Sequence, residues 1–408
     1  MHDRALEGAM GEMAHYPPGA HLLAVLFGKW LGTDGTRAFF PLLTVCAALT
    51  AGYVFLIARR LLVSLPYAIA AVALLFLPAQ YFYGAFTHDS FLAQTAATFF
   101  VVAAWWALVA WDQDRSIFLA IVIAILLVAV FLTWPVLVGP LVIVLVALSR
   151  NRLAHMAIGL TPLLVIGALH MTGRWGWVSM VRTSGAVLAP SLASLGWLLP
   201  ALALIGVLIS ARDRHVRVSL ILLFVIALQA LTLFVLASAR GASTPYMAFK
   251  MVYLAIYPMA LFGAVAMSRL RSNTIGWIAA SVLVLVAVRP ALTAPRPLPI
   301  VGLDLYDAGE WVRANVGQSC VDYLVNDAET AYWLHLAVLG NPRSSARMAE
   351  VDRYEPRAAV GPWLTAEGRG YAIADARTLP DEVRSRVAIE QQFGNVLVIK
   401  RPGAVTCR

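Results

Sequence analysis

Charge is what this sequence has least of. Charged side chains make up 13% of its 408 residues, against about 25% in an ordinary soluble domain. Hydrophobic residues make up 61%, so most of the chain has lipid rather than water as its solvent. Acidic residues are scarcer still over residues 1–300, with eight against nineteen basic ones. Cysteine is nearly absent, with three in the whole chain. They form no C-x-x-C or Cys/His cluster, so a zinc module is excluded. The first sixteen residues, MHDRALEGAMGEMAHY, hold no apolar run of the kind a cleavable signal peptide needs.

Long apolar runs are what the sequence has in plenty. A spanning helix takes about 20 such residues. Ten segments qualify: 38–59, 65–83, 89–111, 116–133, 135–149, 154–172, 194–211, 216–238, 246–268 and 274–290. The fourth and fifth share one run from Ser116 to Leu148, broken at TWPV, where Pro135 ends or kinks a helix. The break reads either as a tight turn at the membrane face or as a bend in one long helix.

Basic residues set the orientation. The loops ARRLL, DQDRS, SRNR, ARDRHVR and SRLRS carry ten Lys and Arg. The opposite loops carry four: Arg174, Arg182, Arg240 and Lys250. Such an excess marks the cytoplasmic side. The N-terminus, the loop 173–193 and everything after Pro290 are therefore expected outside. The pI near 9.7 reflects topology rather than nucleic-acid binding, because the charge lies in short loops.

Four regions follow. Residues 1–37 form part of an outer loop with an interfacial helix, and 38–290 the transmembrane domain. Residues 291–300 are a proline-rich, extended linker. Residues 301–408 form a small extracytoplasmic α/β domain, with helices expected at YDAGEWVRANV and DAETAYWLHLAVL. Strands are expected at CVDYLV, GYAIAD and NVLVIK. In an oxidising compartment Cys320 and Cys407 form a disulfide or remain two free thiols.

Few carboxylates can serve chemistry at the outer face. Asp112, Asp114 and Asp213 are cytoplasmic loop charges, which leaves Asp3, Glu7, Glu12, Asp34 and Asp89 in the membrane part. Thr87, His88 and Asp89 stand at the outer end of the third span. They either cap a helix or bind and deprotonate a polar substrate. Tyr246, Lys250, Tyr253 and Tyr257 share one helix face at the outer end of the ninth span. A lysine one turn inside a membrane helix either snorkels within an aromatic belt or meets an anion. In the second reading Lys250 and Arg240 grip a phosphate, with tyrosine hydroxyls as donors. Arg182 is a further phosphate ligand or a surface charge. Ahead of the first span, HYPPGAH places His15, Tyr16, Pro17 and Pro18 before HLLAVLFGKWLG, which opens on His21. That run is too short to span and reads as a helix lying on the outer leaflet, with Pro18 at its start.

A tyrosine-proline-proline element before a short apolar helix resembles the first outer loop of the GT-C membrane glycosyltransferases. So does a Thr-x-Asp near the outer end of a later span. The YM-x-x-K-x-x-Y stretch and the AGEWVRANV opening of the last domain are similar to the branch holding protein O-mannosyltransferases and the lipid A aminoarabinose transferase. The resemblance implies a polytopic α-helical membrane protein of about ten spans, GT-C-like, with a small C-terminal α/β extracytoplasmic domain, in the bacterial inner membrane. It implies transfer of a hexose or pentose from a polyprenyl-phosphate donor to a lipid, glycan or protein acceptor, with a divalent metal as a possible cofactor. Asp3 and Asp89 are then the candidate catalytic acids. Tyr16, Pro17, Pro18, His21, His88, Arg182, Arg240, Tyr246, Lys250 and Tyr253 bind the donor phosphate or substrate. Family members begin with a transmembrane helix, whereas this chain starts inside the loop, so a helix and part of that loop are expected upstream of Met1. The rival from another class is a transporter or flippase for an anionic lipid or glycan, for which an internal repeat and broken helices would speak.

Overall fold

The computed structural model describes residues 18–61, 63–78, 91–149, 152–171, 189–270, 272–293, 302–316, 321–324, 363–364, 370–377 and 379–403. The chain divides into two units, His15–Arg296 and a second containing Pro297–Arg408.

The first unit is a helical bundle. Its helices are α1 (Gly19–Trp30), α2 (Phe39–Arg60), α3 (Leu65–Leu74), α4 (Leu92–Asp114), α5 (Ile117–Thr133), α6 (Val138–Leu148), α7 (Leu153–Met171), α8 (Leu198–Ser210), α9 (Arg217–Ala239), α10 (Tyr246–Leu254), α11 (Ile256–Ser268) and α12 (Asn273–Thr293). Each of the ten expected segments carries a helix. Five stretches, Phe39–Arg60, Leu92–Asp114, Leu153–His170, Arg214–Ala239 and Tyr246–Ser268, are long and apolar enough to cross a membrane. The other five apolar helices are shorter. Helix α12 runs through Pro290 to Thr293, three residues into the segment expected to be extended linker.

The TWPV break is a reversal and not a bend. Trp134 leaves α5 in an extended conformation (φ −155°, ψ 91°), and Pro135–Leu137 make one 3-10 turn before α6. Arg115, just before α5, donates to the carbonyl of Leu148 at the end of α6, 3.2 Å away. The two ends of the pair away from the turn therefore lie together, which a single long helix would forbid. The carbonyl of Val136, freed by the break, accepts from Gln229 Nε2 of α9 at 2.7 Å.

The expected helix 246–268 is divided at Ala255. Pro258 has no N–H to offer the carbonyl of Leu254, so the hydrogen-bond ladder opens one turn before it. Elsewhere small residues set the packing, as membrane helices without a hydrophobic drive between them require. At Gly206 of α8 an added Cβ would lie 1.9 Å from the Phe262 carbonyl oxygen of α11.

The five basic loops meet at one end of this bundle. Arg60 pairs with Asp114 at 2.5 Å, and Arg217 and Arg115 both pair with Asp112. Trp111 Nε1 donates to His155 Nδ1 at 3.2 Å. Tyr67 donates to the carbonyl of Ser272 at 2.9 Å. Charges expected to share one membrane side thus share one end of the fold.

In the second unit a four-stranded sheet has the order β1-β2-β4-β3, with β1 (Val321–Leu324), β2 (Tyr371–Asp375), β3 (Ala388–Phe393) and β4 (Val396–Lys400). Strand β1 runs parallel to β2, and β4 runs antiparallel to both its neighbours. One face is covered by Leu305, Ala308 and Val312 of helix α13 (Leu303–Asn315). The other packs Ala372, Leu397 and Ile399 against Trp363, Leu379 and Val383. Three strands and α13 match expectation. Strand β3, AIEQQF, does not, because it is an exposed edge whose residues are not apolar on alternate positions.

Candidate functional site

The end of the bundle away from the basic loops collects the sequence's unusual residues. Helix α1 starts there. Pro18 sits at its N-cap with helical φ (−77°), and its carbonyl accepts from Leu22 at 2.9 Å. Ala20, Ala24 and Gly28, four residues apart, bury one face of α1. Leu22, Leu26 and Trp30 are exposed on another. Gly19 is pressed so closely to the backbone of Leu132 and Thr133 that an added Cβ would stand 2.6 Å from the Leu132 oxygen. The next residue, Trp134, belongs to the site's centre.

That centre is Lys250. Its side chain does not snorkel, since the residue is only 2% exposed. The ammonium lies 3.9 Å from the centroid of Phe91, 4.1 Å from Tyr246 and 4.5 Å from Trp134. Three segments distant in sequence thus enclose one cation: the residue before α4, the α5–α6 turn and the start of α10. Phe91 and Tyr246 also meet edge to face at 6.3 Å. Ring faces carry negative potential, and a desolvated ammonium over one gains about 2 kcal/mol or more. The cage therefore offsets part of the cost of holding this charge away from water. Such a group keeps its place and can stabilise negative charge that develops beside it. Tyr253 and Tyr257 are buried too, on either side of the break at Ala255.

Other expected site residues are distributed differently. Arg240 caps α9 and is exposed. Gly241 follows it with φ 80°, and its amide donates to Ser238. His21 lies on the exposed side of α1, outside the Lys250 cage. Packing against part of its ring lowers its pKa by desolvation. Asp34 serves the backbone, accepting from the amides of Thr36 and Arg37 at 2.7 and 3.0 Å. Asp3, Tyr16, Pro17, His88, Asp89, Arg182, Cys320 and Cys407 lie outside the described residues. Cys46 is a buried free thiol within α2. Among the described residues no group of three or more His, Cys, Asp and Glu could hold a metal ion.

Sequence reasoning missed Phe91 and Trp134. The signal for Trp134 was present, as an aromatic residue at a helix break. Phe91 gave none beyond its place two residues after Asp89.

No protein-family model matches the chain, and no curated protein sequence matches it. Among solved structures, one that matches is the crystal structure of ArnT from Cupriavidus metallidurans bound to undecaprenyl phosphate. It is 13% identical, with a TM-score of 0.39, over 96% of this chain and 89% of the other. A likeness of that degree carries no argument about this chain's fold or chemistry.

Proposed function

We propose that this protein is an integral-membrane glycosyltransferase that takes a sugar from a polyprenyl-phosphate donor. It passes the sugar to a hydroxyl of a lipid, glycan or protein at the outer face of the bacterial inner membrane. The observation that carries the reading is the caged ammonium of Lys250, held beside the turn on which the helix after YPPG begins. As the bond from sugar to phosphate breaks, negative charge grows on the leaving phosphate. A fixed cation at that point lowers the barrier without reorganising in the step. Arg240, exposed at the same end, attracts the anionic donor toward the site. Asp89, two residues before Phe91, is placed by sequence to deprotonate or orient the acceptor, with Asp3 as the alternative acid. Attack from the face opposite the phosphate would invert the anomeric carbon.

A transporter or flippase for an anionic lipid or glycan is the second reading. The break at Ala255, inside an apolar stretch long enough to span, is the observation in its favour. The purified protein in proteoliposomes separates the two. A panel of radiolabelled undecaprenyl-phosphate monosaccharides is supplied with membrane acceptors. Covalent transfer of label supports the enzyme, and movement of intact donor between leaflets without transfer would replace that reading with the transporter.

A further inference from the structure

Gln94 lies in the first turn of α4, three residues after Phe91, whose ring touches the Lys250 ammonium. It is 6% exposed, and its Oε1 has no hydrogen-bond partner among the described residues. Such orphans are rare, because a buried acceptor without a donor loses its hydration and gains nothing back. The group is therefore open to completion by a bound molecule. Its direction is inward: Gln94, Thr98, Val101 and Trp105 share one buried stripe of α4, and Trp105 donates to Ser219 of α9 at 3.1 Å. Gln94 thus stands three residues along the chain from the ring that faces the caged cation.

We infer that Gln94 is a ligand-binding residue that reads a hydroxyl of the sugar carried by the polyprenyl-phosphate donor. This rests on the glycosyltransferase reading and adds a specificity determinant to it. The chemistry selects among the donor's three parts. The prenyl tail offers no polar atom. The phosphate offers acceptors only, which suit Lys250. A sugar hydroxyl both donates and accepts, so it satisfies the carboxamide in either orientation.

The test uses the full-length protein in detergent, with ligand-induced thermal shifts as the measure of affinity. The probes are bare undecaprenyl phosphate and a panel of undecaprenyl-phosphate hexoses and pentoses. The wild type is expected to bind one sugar-bearing lipid more tightly than the bare one. Gln94→Met, matched in length and apolar, is expected to weaken that lipid about tenfold and leave bare undecaprenyl phosphate unchanged. Without ligand, Gln94→Met is expected to melt at the same temperature or higher, because the orphan is gone. The proposal is overturned if the wild type prefers no sugar-bearing lipid, if Gln94→Met keeps the preference, or if the variant is less stable or does not fold. Lys250→Ala tests the underlying reading separately. Undiminished binding of both kinds of lipid by that variant would remove the phosphate site and leave the Gln94 result standing on its own.

Discussion

Gly19, the last residue of YPPG, is the point at which the account is most exposed to a single methyl group. In Gly19→Ala the new Cβ would stand 2.6 Å from the Leu132 oxygen, 2.8 Å from the Leu132 carbonyl carbon and 3.1 Å from the Thr133 nitrogen. All three are backbone atoms in the last turn of α5, so no side chain can swing away. Overpacking of this kind costs about 1–3 kcal/mol. Alanine's better helix propensity returns at most about 1 kcal/mol, so the net effect is a loss of up to about 2 kcal/mol. Gly52, inside α2, meets nothing within 4 Å, and Gly52→Ala collects only the propensity gain. The two variants are thus expected to move in opposite directions and to differ by about 2 kcal/mol. Chemical unfolding of the purified protein in detergent, followed by tryptophan fluorescence, reads the difference. Gly19→Ala also shifts the turn that carries Trp134, so phosphate affinity should fall with stability. Equal stability of the two variants would show that α1 does not begin against the α5–α6 turn, and the site would lose one wall.

Gly206→Ala sets a Cβ 1.9 Å from the Phe262 carbonyl oxygen and should be more damaging than Gly19→Ala, by more than about 2 kcal/mol. The same unfolding assay checks it, and wild-type stability would mean that α8 and α11 do not cross there. In the second unit, Arg377 donates to both carboxylate oxygens of Asp375, at 2.6 and 3.0 Å for the shorter contacts, and lowers the Asp375 pKa. A depressed pKa means that the pair stabilises β2 above the ordinary aspartate range near pH 4. That contribution is lost as pH falls through the lower, folded-state value. Hydrogen exchange at β2 in the full chain should show protection weakening over that interval. Arg377→Gln should flatten the dependence, and an unchanged profile would dissociate the pair from stability.

How much of this was legible in the sequence depends on how local each signal is. Helix positions follow from runs of apolar residues, a local property, and each of the ten segments carries one. The reversal at TWPV was visible as an option, but choosing it required the contact between Arg115 and Leu148, which pattern alone does not supply. The division at Ala255 was predictable from Pro258, because the missing N–H acts four residues earlier. The proline was passed over because the apolar run continues across it. Strand β3 escaped because an edge strand paired on one side need not alternate. Lys250 was found as an anomaly, a charge inside an apolar helix. Its cage could not be read, since residues 91, 134 and 250 meet only once the helices pack.

The central claim is that Lys250 stabilises a leaving phosphate. Its most direct test is the rate of sugar transfer by Lys250→Ala from the undecaprenyl-phosphate sugar that the wild type uses, measured at saturating donor so that binding and chemistry are separated. Loss of one fixed group that stabilises developing charge is expected to lower kcat about 10²–10³-fold, with partial recovery in Lys250→Arg, which keeps the charge. Transfer at the wild-type kcat by Lys250→Ala would contradict the account.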